Sequence, residues 1–362
     1  MKKIFLVGYY GYKNVGDELL LYEISNFLKK CEDLEISALS IDSKYTTKKY
    51  DVNGISRLKN FSLIKHISNV DFVVYGGGSI LQDITSSKSL YYYLGILLIA
   101  KFFRKKVIFL GNGFGPIIRE KNKILLKNIL KMVDLAISRD DETFKNFKQF
   151  GIKNVFNGVD CAFLNTFVNE KNDNNILDKY NLVENEYIIV SLRNWINVDK
   201  FIDVLKKIFD TKFLEYKIVF ISMKFPEDKI IIDKNFEENN RFIYVNEDVE
   251  GLLELFSKSK MTIAMRLHSL ILSGIFKKPF LAISYDPKVE SFCNQTEQEI
   301  LFDLNNIDNL IINKELEMEC KDKVDRFLSN YSFYQKKLEK IIPTLNNLAI
   351  KQFDLFLEYL YK

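Results

Sequence analysis

Short apolar runs return at regular intervals along this chain, with helically patterned stretches between them. Ile4–Val7, Ile36–Leu39, Phe72–Tyr75, Val107–Leu110 and Leu135–Ser138 read as strands, and Glu18–Leu28 between the first two carries Leu19, Leu20, Ile24, Phe27 and Leu28 on one helical face. The strand runs are uniformly apolar rather than alternating, the mark of strands buried on both faces. Strand–helix alternation of this kind predicts a parallel sheet covered by helices on either side. The pattern stops in the polar stretch Asn169–Glu186 and then restarts: Tyr187–Leu192, Lys217–Ser222, Phe242–Val245, Met261–Met265 and Phe280–Ser284 read as strands of a second α/β unit. The expected organisation is a Rossmann-like domain over 1–168, a linker over 169–186, a second Rossmann-like domain over 187–320, and helices over 321–362, interrupted near Pro343 and able to cross back to the first domain.

Charge and composition remove several classes of function. Lys and Arg number 52 against 48 Asp and Glu, a net charge of +4, which gives no support for a nucleic-acid partner. Cys31, Cys161, Cys293 and Cys320 form no CxxC pair and suit a reducing compartment. With His66 and His268 as the only histidines, a metal site is not expected. His66, set among Leu63, Ile64 and Ile67, reads as structural. Lys2 and Lys3 before an apolar run resemble the start of a signal peptide, but the run is short and a first strand fits better. The longest apolar run, Leu90–Phe103, falls short of the ~20 residues a bilayer span needs. It reads as a buried helix, or as a membrane-surface helix with Lys101, Arg104, Lys105 and Lys106 at its end. A cytoplasmic location follows, with a peripheral contact at the inner face of the membrane.

Glycines cluster directly after the strands, where ligands bind in open α/β sheets. Gly8-Tyr-Tyr-Gly11-Tyr-Lys-Asn14-Val-Gly16-Asp17 runs from a strand into a helix, with Asp17 expected to cap it and the loop able to hold an anion or a sugar hydroxyl. Gly76-Gly77-Gly78-Ser79 lies before Asp83; three consecutive glycines cost chain entropy and point to close approach of backbone to a ligand or to tight helix–strand packing. Gly111-Asn112-Gly113-Phe114-Gly115-Pro116 is not a dinucleotide fingerprint, and no Walker A sequence occurs.

Cations stand at other strand ends. Arg266-Leu267-His268-Ser269 joins a strand to a helix and pairs a fixed positive charge with a side chain able to exchange protons near neutrality. Arg139, Arg193 and Lys288 lie at three further strand ends; if they converge, they suit a small polyanion carrying a carboxylate and a phosphate. For Arg139 and Lys288 the plainer reading is a local ion pair or a solvated surface.

Taken in order, Asn14-Val-Gly-Asp17-Glu18, Gly-Gly-Gly-Ser79-Ile-Leu-Gln-Asp83, Gly-Asn-Gly-Phe-Gly-Pro116, Ser-Arg139-Asp, Arg266-Leu-His268-Ser and Ser284-Tyr-Asp-Pro-Lys288-Val resemble the polysaccharide pyruvyl transferase family. The Gln82–Ser87 stretch and the Lys288 segment resemble the branch that pyruvylates cell-wall polymers used for S-layer anchoring. The resemblance implies an α/β chain of two Rossmann-like domains facing a cleft, GT-B-like. It implies phosphoenolpyruvate as co-substrate, no further cofactor, and a 4,6-linked pyruvate ketal on a hexose or N-acetylhexosamine of a glycan or its lipid-linked precursor. It places His268 as a proton shuttle and Arg266 as a catalytic group. Arg139, Arg193, Arg266, His268, Lys288 and Ser284 fall to the donor in the second domain's side of the reaction. Asn14, Gly16, Asp17, Gly77, Gly78, Ser79 and Asp83 fall to the acceptor, with Asp17 a candidate base. Asn112 stands where relatives are expected to carry Gln, and Asp140-Asp141 where Asp-Glu is usual.

Two rivals remain. A GT-B glycosyltransferase with a nucleotide-sugar donor would have a pocket for base and ribose, often marked by a carboxylate on the ribose, and Glu247, Asp248 and Glu250 are available. A non-catalytic sugar- or phosphate-binding protein is disfavoured by the Arg-Leu-His element.

Overall fold

The computed structural model describes residues 1–84, 86–169, 175–305 and 314–362. Two compact units are present: 1–169 with 345–362, and 170–344. In the first, strands β1 (Lys2–Tyr10), β2 (Leu34–Ser40), β3 (Asn53–Ser56), β4 (Phe72–Gly76), β5 (Lys106–Asn112), β6 (Leu135–Ser138) and β7 (Val155–Asn157) form one parallel sheet in the order β3-β2-β1-β4-β5-β6-β7. In the second, β8 (Tyr187–Ser191), β9 (Lys217–Ile221), β10 (Phe242–Val245), β11 (Met261–Ala264), β12 (Phe280–Ser284) and β13 (Glu299–Asp303) are also parallel, in the order β10-β9-β8-β11-β12-β13. Both sheets follow the doubly wound 3-2-1-4-5-6 order, and the first adds a seventh strand at its edge. The chain reverses direction across the sheet between β1 and β4, and again between β8 and β11.

Each unit builds its own core. In the first, alternate residues of the central strands (Phe5, Val7, Val73, Tyr75, Val107, Phe109) pack against the inner faces of helices Asn60–Asn69, Ser87–Phe102 and Glu120–Ile129. The apolar run at Leu90 is thus a core helix, burying Leu90, Tyr93, Leu94, Ile96, Leu97 and Ala100. At its basic end Lys101 and Lys106 both pair with Asp134. His66 accepts the structural role expected of it, 2.8 Å from Ser37 Oγ and edge-on to the Phe5 ring.

Three strands were not foreseen: β3, β7 and β13, with the sequences Asn-Gly-Ile-Ser, Val-Phe-Asn and Glu-Ile-Leu-Phe-Asp, are short or carry polar residues at their ends. All three lie at sheet edges, where one side of the ladder needs no apolar neighbour. Of the expected linker, residues 170–174 lie outside the described residues, as does Thr85. From Asn175 onward the chain is already folded into the second unit, with Ile176 and Leu182 buried and Asn185 N–H donating to Lys258 O at 2.9 Å.

The C-terminal helix is a correction of a different kind. Tyr331–Tyr361 is a single helix that runs through Pro343 without ending there. Its first half, up to Thr344, belongs to the second unit, where Ile342 and Leu338 pack over Gly274. Its second half belongs to the first unit. There Asn346 donates to the carbonyls of Phe163 and Leu164 at 2.8 and 3.0 Å, and Gln352 Oε1 accepts from Val159 N–H at 3.0 Å. Phe353 is fully buried, its ring 4.6 Å from that of Phe27. Phe353→Ala should therefore cost the first unit about 3–5 kcal/mol of stability. Urea unfolding would read this as a lowered midpoint, and an unchanged midpoint would show that the helix end contributes nothing to that core.

Candidate active site

In the first unit the β1 and β4 strand ends bring the first two glycine loops together. The helix Val15–Leu28 is capped at Asn14, whose backbone is extended; Asp17 sits one turn in rather than at the cap. Gly16 is buried in that first turn. Gly77 and Gly78 have φ of +71° and +69°, open only to glycine without strain. A Cβ on Gly78 would stand 3.0 Å from Asp17 Oδ1, and one on Gly77 would stand 2.8 Å from Leu20 Cδ1. The triple glycine thus serves tight packing: its backbone closes on the helix, against Leu20 and Asp17.

Buried polar groups brace these loops. Glu18 accepts from Gly11 N–H at 2.6 Å and from Tyr50 OH at 2.7 Å. Burial raises its carboxyl pKa above the ordinary value, against the lowering effect of those two donors. Tyr10 OH donates to Gly76 O at 2.6 Å. The Asn112 amide donates to Gly77 O at 2.7 Å and accepts from Leu110 N–H at 3.0 Å, so the residue that departs from the expected Gln is an internal strut. Asp83, expected to face the acceptor, is turned inward and fully buried. It accepts from Ile118 N–H (2.6 Å), Arg119 N–H (3.1 Å) and Asn122 Nδ2 (2.6 Å). Burial alone would raise its pKa; these donors and the Arg119 charge outweigh it and hold the carboxyl below the usual carboxylate range. Its carboxylate is turned to the loop backbone and Asn122, away from solvent.

Arg139 sits at the end of β6 with its side chain nearly buried, 3.3 Å from Ser79 Oγ, 3.4 Å from Asp140 and 3.8 Å from Asp160. It belongs to the first unit with Ser79, and its charge is already balanced there. Sequence reasoning missed Arg57. This cation follows the polar edge strand β3 and lies over the rings of Tyr92, Tyr12 and Tyr93, at 4.1, 5.4 and 5.9 Å. Tyr12 stacks in parallel on Tyr9 at 4.0 Å. The charges of Asp17 and Arg57 both act on the Tyr93 hydroxyl, in opposite directions.

In the second unit, Met265 N–H donates to Ser191 O at 2.8 Å and Arg193 N–H reaches Met265 Sδ at 3.4 Å, which joins the β8 and β11 strand ends. Arg193 Nη1 donates to Tyr285 OH at 2.9 Å, and its guanidinium lies 4.8 Å from the ring centres of both Trp195 and Tyr285. Arg193 Nε is buried without an acceptor, as are the hydroxyls of Ser191 and Ser269. Lys288 lies 5.9 Å from the Tyr285 ring and pairs with Asp286 at 2.9 Å. Ser284, expected to touch the donor, is buried and donates inward to Glu290 at 2.9 Å.

Arg266 caps the helix Leu267–Ile275, and His268 lies half-buried in its first turn. The Arg266 guanidinium is held in a two-pronged pair by Asp228, through Nε at 3.1 Å and through Nη2. Asp228 is fully buried and also accepts from the N–H groups of Met223 and Lys224, at 3.1 and 2.9 Å. Sequence reading named the arginine and missed its partner, a carboxylate in the first turn of the helix Glu227–Asn235 that follows β9. The pairing engages the Nε and Nη2 edge of Arg266. Among the described residues no group of three or more His, Cys, Asp or Glu is gathered to hold a metal ion.

The family described as polysaccharide pyruvyl transferase matches residues 14–287. The amylovoran biosynthesis protein AmsJ of Erwinia amylovora is 22% identical over 268 residues, which cover 66% of this chain and 64% of that protein, so the chain spans just under two thirds of this relative's length. Two solved structures share the fold. The UDP-GlcNAc 2-epimerase of Neisseria meningitidis has a TM-score of 0.68 at 11% identity, over 99% of this chain and 100% of that one. A glycosyltransferase of Rickettsia africae has a TM-score of 0.60 at 16% identity, over 99% and 98%. The fold is therefore GT-B-like, as expected.

The Glu18 brace yields a test by linkage. A carboxyl whose pKa is raised on folding binds its proton more tightly in the native state. Stability is then fullest below the unfolded value of 4.5 and declines as pH rises through the folded value. Urea unfolding of wild type and Glu18→Gln across that range should show wild type losing stability relative to the variant as pH rises. A difference that does not change with pH would remove Glu18 as the titrating brace.

Proposed function

The chain belongs to the polysaccharide pyruvyl transferase family, and we propose that it moves the enolpyruvyl group of phosphoenolpyruvate onto a hexose or N-acetylhexosamine of a cell-surface glycan or its lipid-linked precursor. The product is a 4,6-linked pyruvate ketal, and phosphate is released. A cell-wall polymer of the S-layer-anchoring kind is the acceptor we favour, met at the inner face of the membrane. The observation that carries the donor assignment is Arg193. It is a cation with an unspent, buried Nε donor, braced by two aromatic rings, beside the strand end that carries His268. A guanidinium N–H buried without an acceptor is costly, and a carboxylate or phosphate oxygen relieves that cost.

In this reading Arg193 and Lys288 hold the donor's anionic groups. Arg266, already neutralised and fixed by Asp228, presents its remaining edge to phosphate and orients the loop that carries His268. His268 gives a proton to the donor's methylene carbon, which becomes a methyl group, and positive charge develops at C2. One sugar hydroxyl adds there and gives up its proton. The bond from C2 to the phosphate oxygen then breaks, and the second hydroxyl closes the ketal. The two hydroxyl protons account for the one on the methyl and the one that leaves with phosphate. Fixed cations favour both the departing phosphate and the charge that precedes it. No step calls for a metal or a further cofactor.

On the acceptor side, Asp17, Gly78 and Arg57 with its tyrosines offer a carboxylate, peptide groups and aromatic faces to a sugar. The nucleotide-sugar rival loses support, because its candidate ribose carboxylates Asp248 and Glu247 are engaged within the protein. Asp248 caps the helix Val249–Lys258, and Glu247 accepts from Tyr180 OH at 2.7 Å and pairs with Lys179 at 2.5 Å.

Calorimetry with phosphoenolpyruvate against a panel of nucleotide sugars tests the donor. Wild type should bind phosphoenolpyruvate saturably, and Arg193→Ala should weaken it about 10- to 100-fold. Binding of a nucleotide sugar without phosphoenolpyruvate would overturn the reading. A second test separates binding from chemistry: His268→Ala should leave donor affinity within a few-fold and lower kcat about 10²- to 10⁴-fold. Unchanged kcat in a folded variant would remove His268 as the proton donor.

A further inference from the structure

Positive charge is concentrated in one segment of this nearly balanced chain. Residues 57–132 contain thirteen Lys and Arg against three Asp and Glu, a net of +10, while the remainder carries 39 against 45, a net of −6. This segment supplies the helices Asn60–Asn69, Ser87–Phe102 and Glu120–Ile129, which share one core on one face of the first sheet. Their outer faces therefore form a single helical layer.

The three acids do little to offset that charge. Asp83 is buried, Asp71 stands at the start of β4 accepting from Lys3 N–H at 2.8 Å, and Glu120 pairs with Lys123 at 2.6 Å. Lys59, Lys65, Lys88, Arg104, Lys121 and Lys127 are all exposed and form no ion pair among the described residues. Between them stand large apolar side chains that nothing covers. Phe61 is 88% exposed, Phe102 81% and Leu58 73%, with Ile64, Leu98 and Ile124 also open. On the first of these helices Leu63 and Ile67 face the core while Phe61 and Ile64 point away from it beside Lys65.

We propose that this layer is a docking surface for an anionic lipid bilayer, with Leu58, Phe61 and Phe102 entering the headgroup–acyl boundary and the unpaired bases resting on lipid phosphates. The combination selects this occupant. A second copy of the chain docked by the same face would set positive charge against positive charge. A nucleic-acid backbone would engage the bases and leave the phenylalanines in water. An anionic bilayer takes both kinds of side chain at once. The inference rests on charge and exposure rather than on the donor chemistry, so its failure and that of the pyruvyl reading are distinguishable.

Cosedimentation of the full chain with phosphatidylcholine vesicles, with and without phosphatidylglycerol, tests it. Wild type should partition onto the phosphatidylglycerol vesicles and be released by salt. Lys59→Glu with Lys65→Glu should weaken partitioning at least about five-fold per base. Phe61→Ser with Phe102→Ser, which leaves charge unchanged, should weaken it about tenfold or more. Lys336→Glu with Lys340→Glu, which matches the charge change on the second unit, should have little effect. Melting curves like those of wild type confirm that the variants fold. Three results would each overturn the proposal. One is no partitioning of wild type. Another is equal binding to phosphatidylcholine alone. The third is binding to a DNA duplex, without vesicle binding, that the phenylalanine variant retains.

Discussion

Everything that could do chemistry in this chain depends on two reversals of strand order. In a parallel sheet each helix returns the chain to the start of the next strand, so the strand ends all point one way. Where the order reverses, between β1 and β4 and between β8 and β11, consecutive connections leave on opposite faces and a crevice opens at the strand ends. The Gly8–Asp17 and Gly76–Ser79 loops occupy the first of these places, and Arg193 and Arg266–His268 occupy the second. The same topology thus appears twice with different chemistry. The first crevice carries glycines, a carboxylate and aromatic rings; the second carries guanidinium groups and an imidazole.

The arginines differ in a way that their sequence context does not reveal. Arg266 faces a buried carboxylate held by two further backbone donors, so its charge is cancelled and its plane is fixed. Removing one member of such a pair strands the other, at a cost of about 3–5 kcal/mol, so Asp228 is as necessary to the site as the arginine it holds. Arg139 is likewise balanced, by Asp140 and Asp160. Arg193 has aromatic rings and a phenol for neighbours instead. Aromatic faces support a cation without neutralising it. Of the three arginines, it is the one that forms no ion pair with a carboxylate among the described residues.

The central strands were legible because burial on both faces forces continuous apolar runs, and the glycine loops were legible because strand ends followed by Gly are conspicuous. The edge strands were not. Asn53–Ser56 carries one large apolar residue, and without that strand Arg57 reads as a surface cation rather than as a group at a strand end. Pro343 predicted a break that the packing of Leu338, Ile342 and Phe353 on either side of it overrides. Within the motifs, composition could not separate residues that face a ligand from residues that hold the loop. Asp17 and Glu18 are neighbours in sequence, yet one lies against Gly78 and the other is buried under Gly11 and Tyr50.

That ambiguity has a physical origin. A loop that exposes its peptide groups to a ligand loses the hydrogen bonds that a strand or helix would supply, and something beneath it must replace them. Glu18, Asp83, Asn112, Tyr10 and Asp228 do so here, each spending its polar atoms on loop backbone. A charged or amide side chain is the economical choice, since one carboxylate satisfies two or three N–H groups. The motifs of such a site therefore contain braces of the same residue types as its ligands. Ser284 and Asp83 fall among the braces because their atoms are directed inward. Arg57 and Arg193 are distinguished by the aromatic rings around them, and Asp17 by the glycine backbone it lies against.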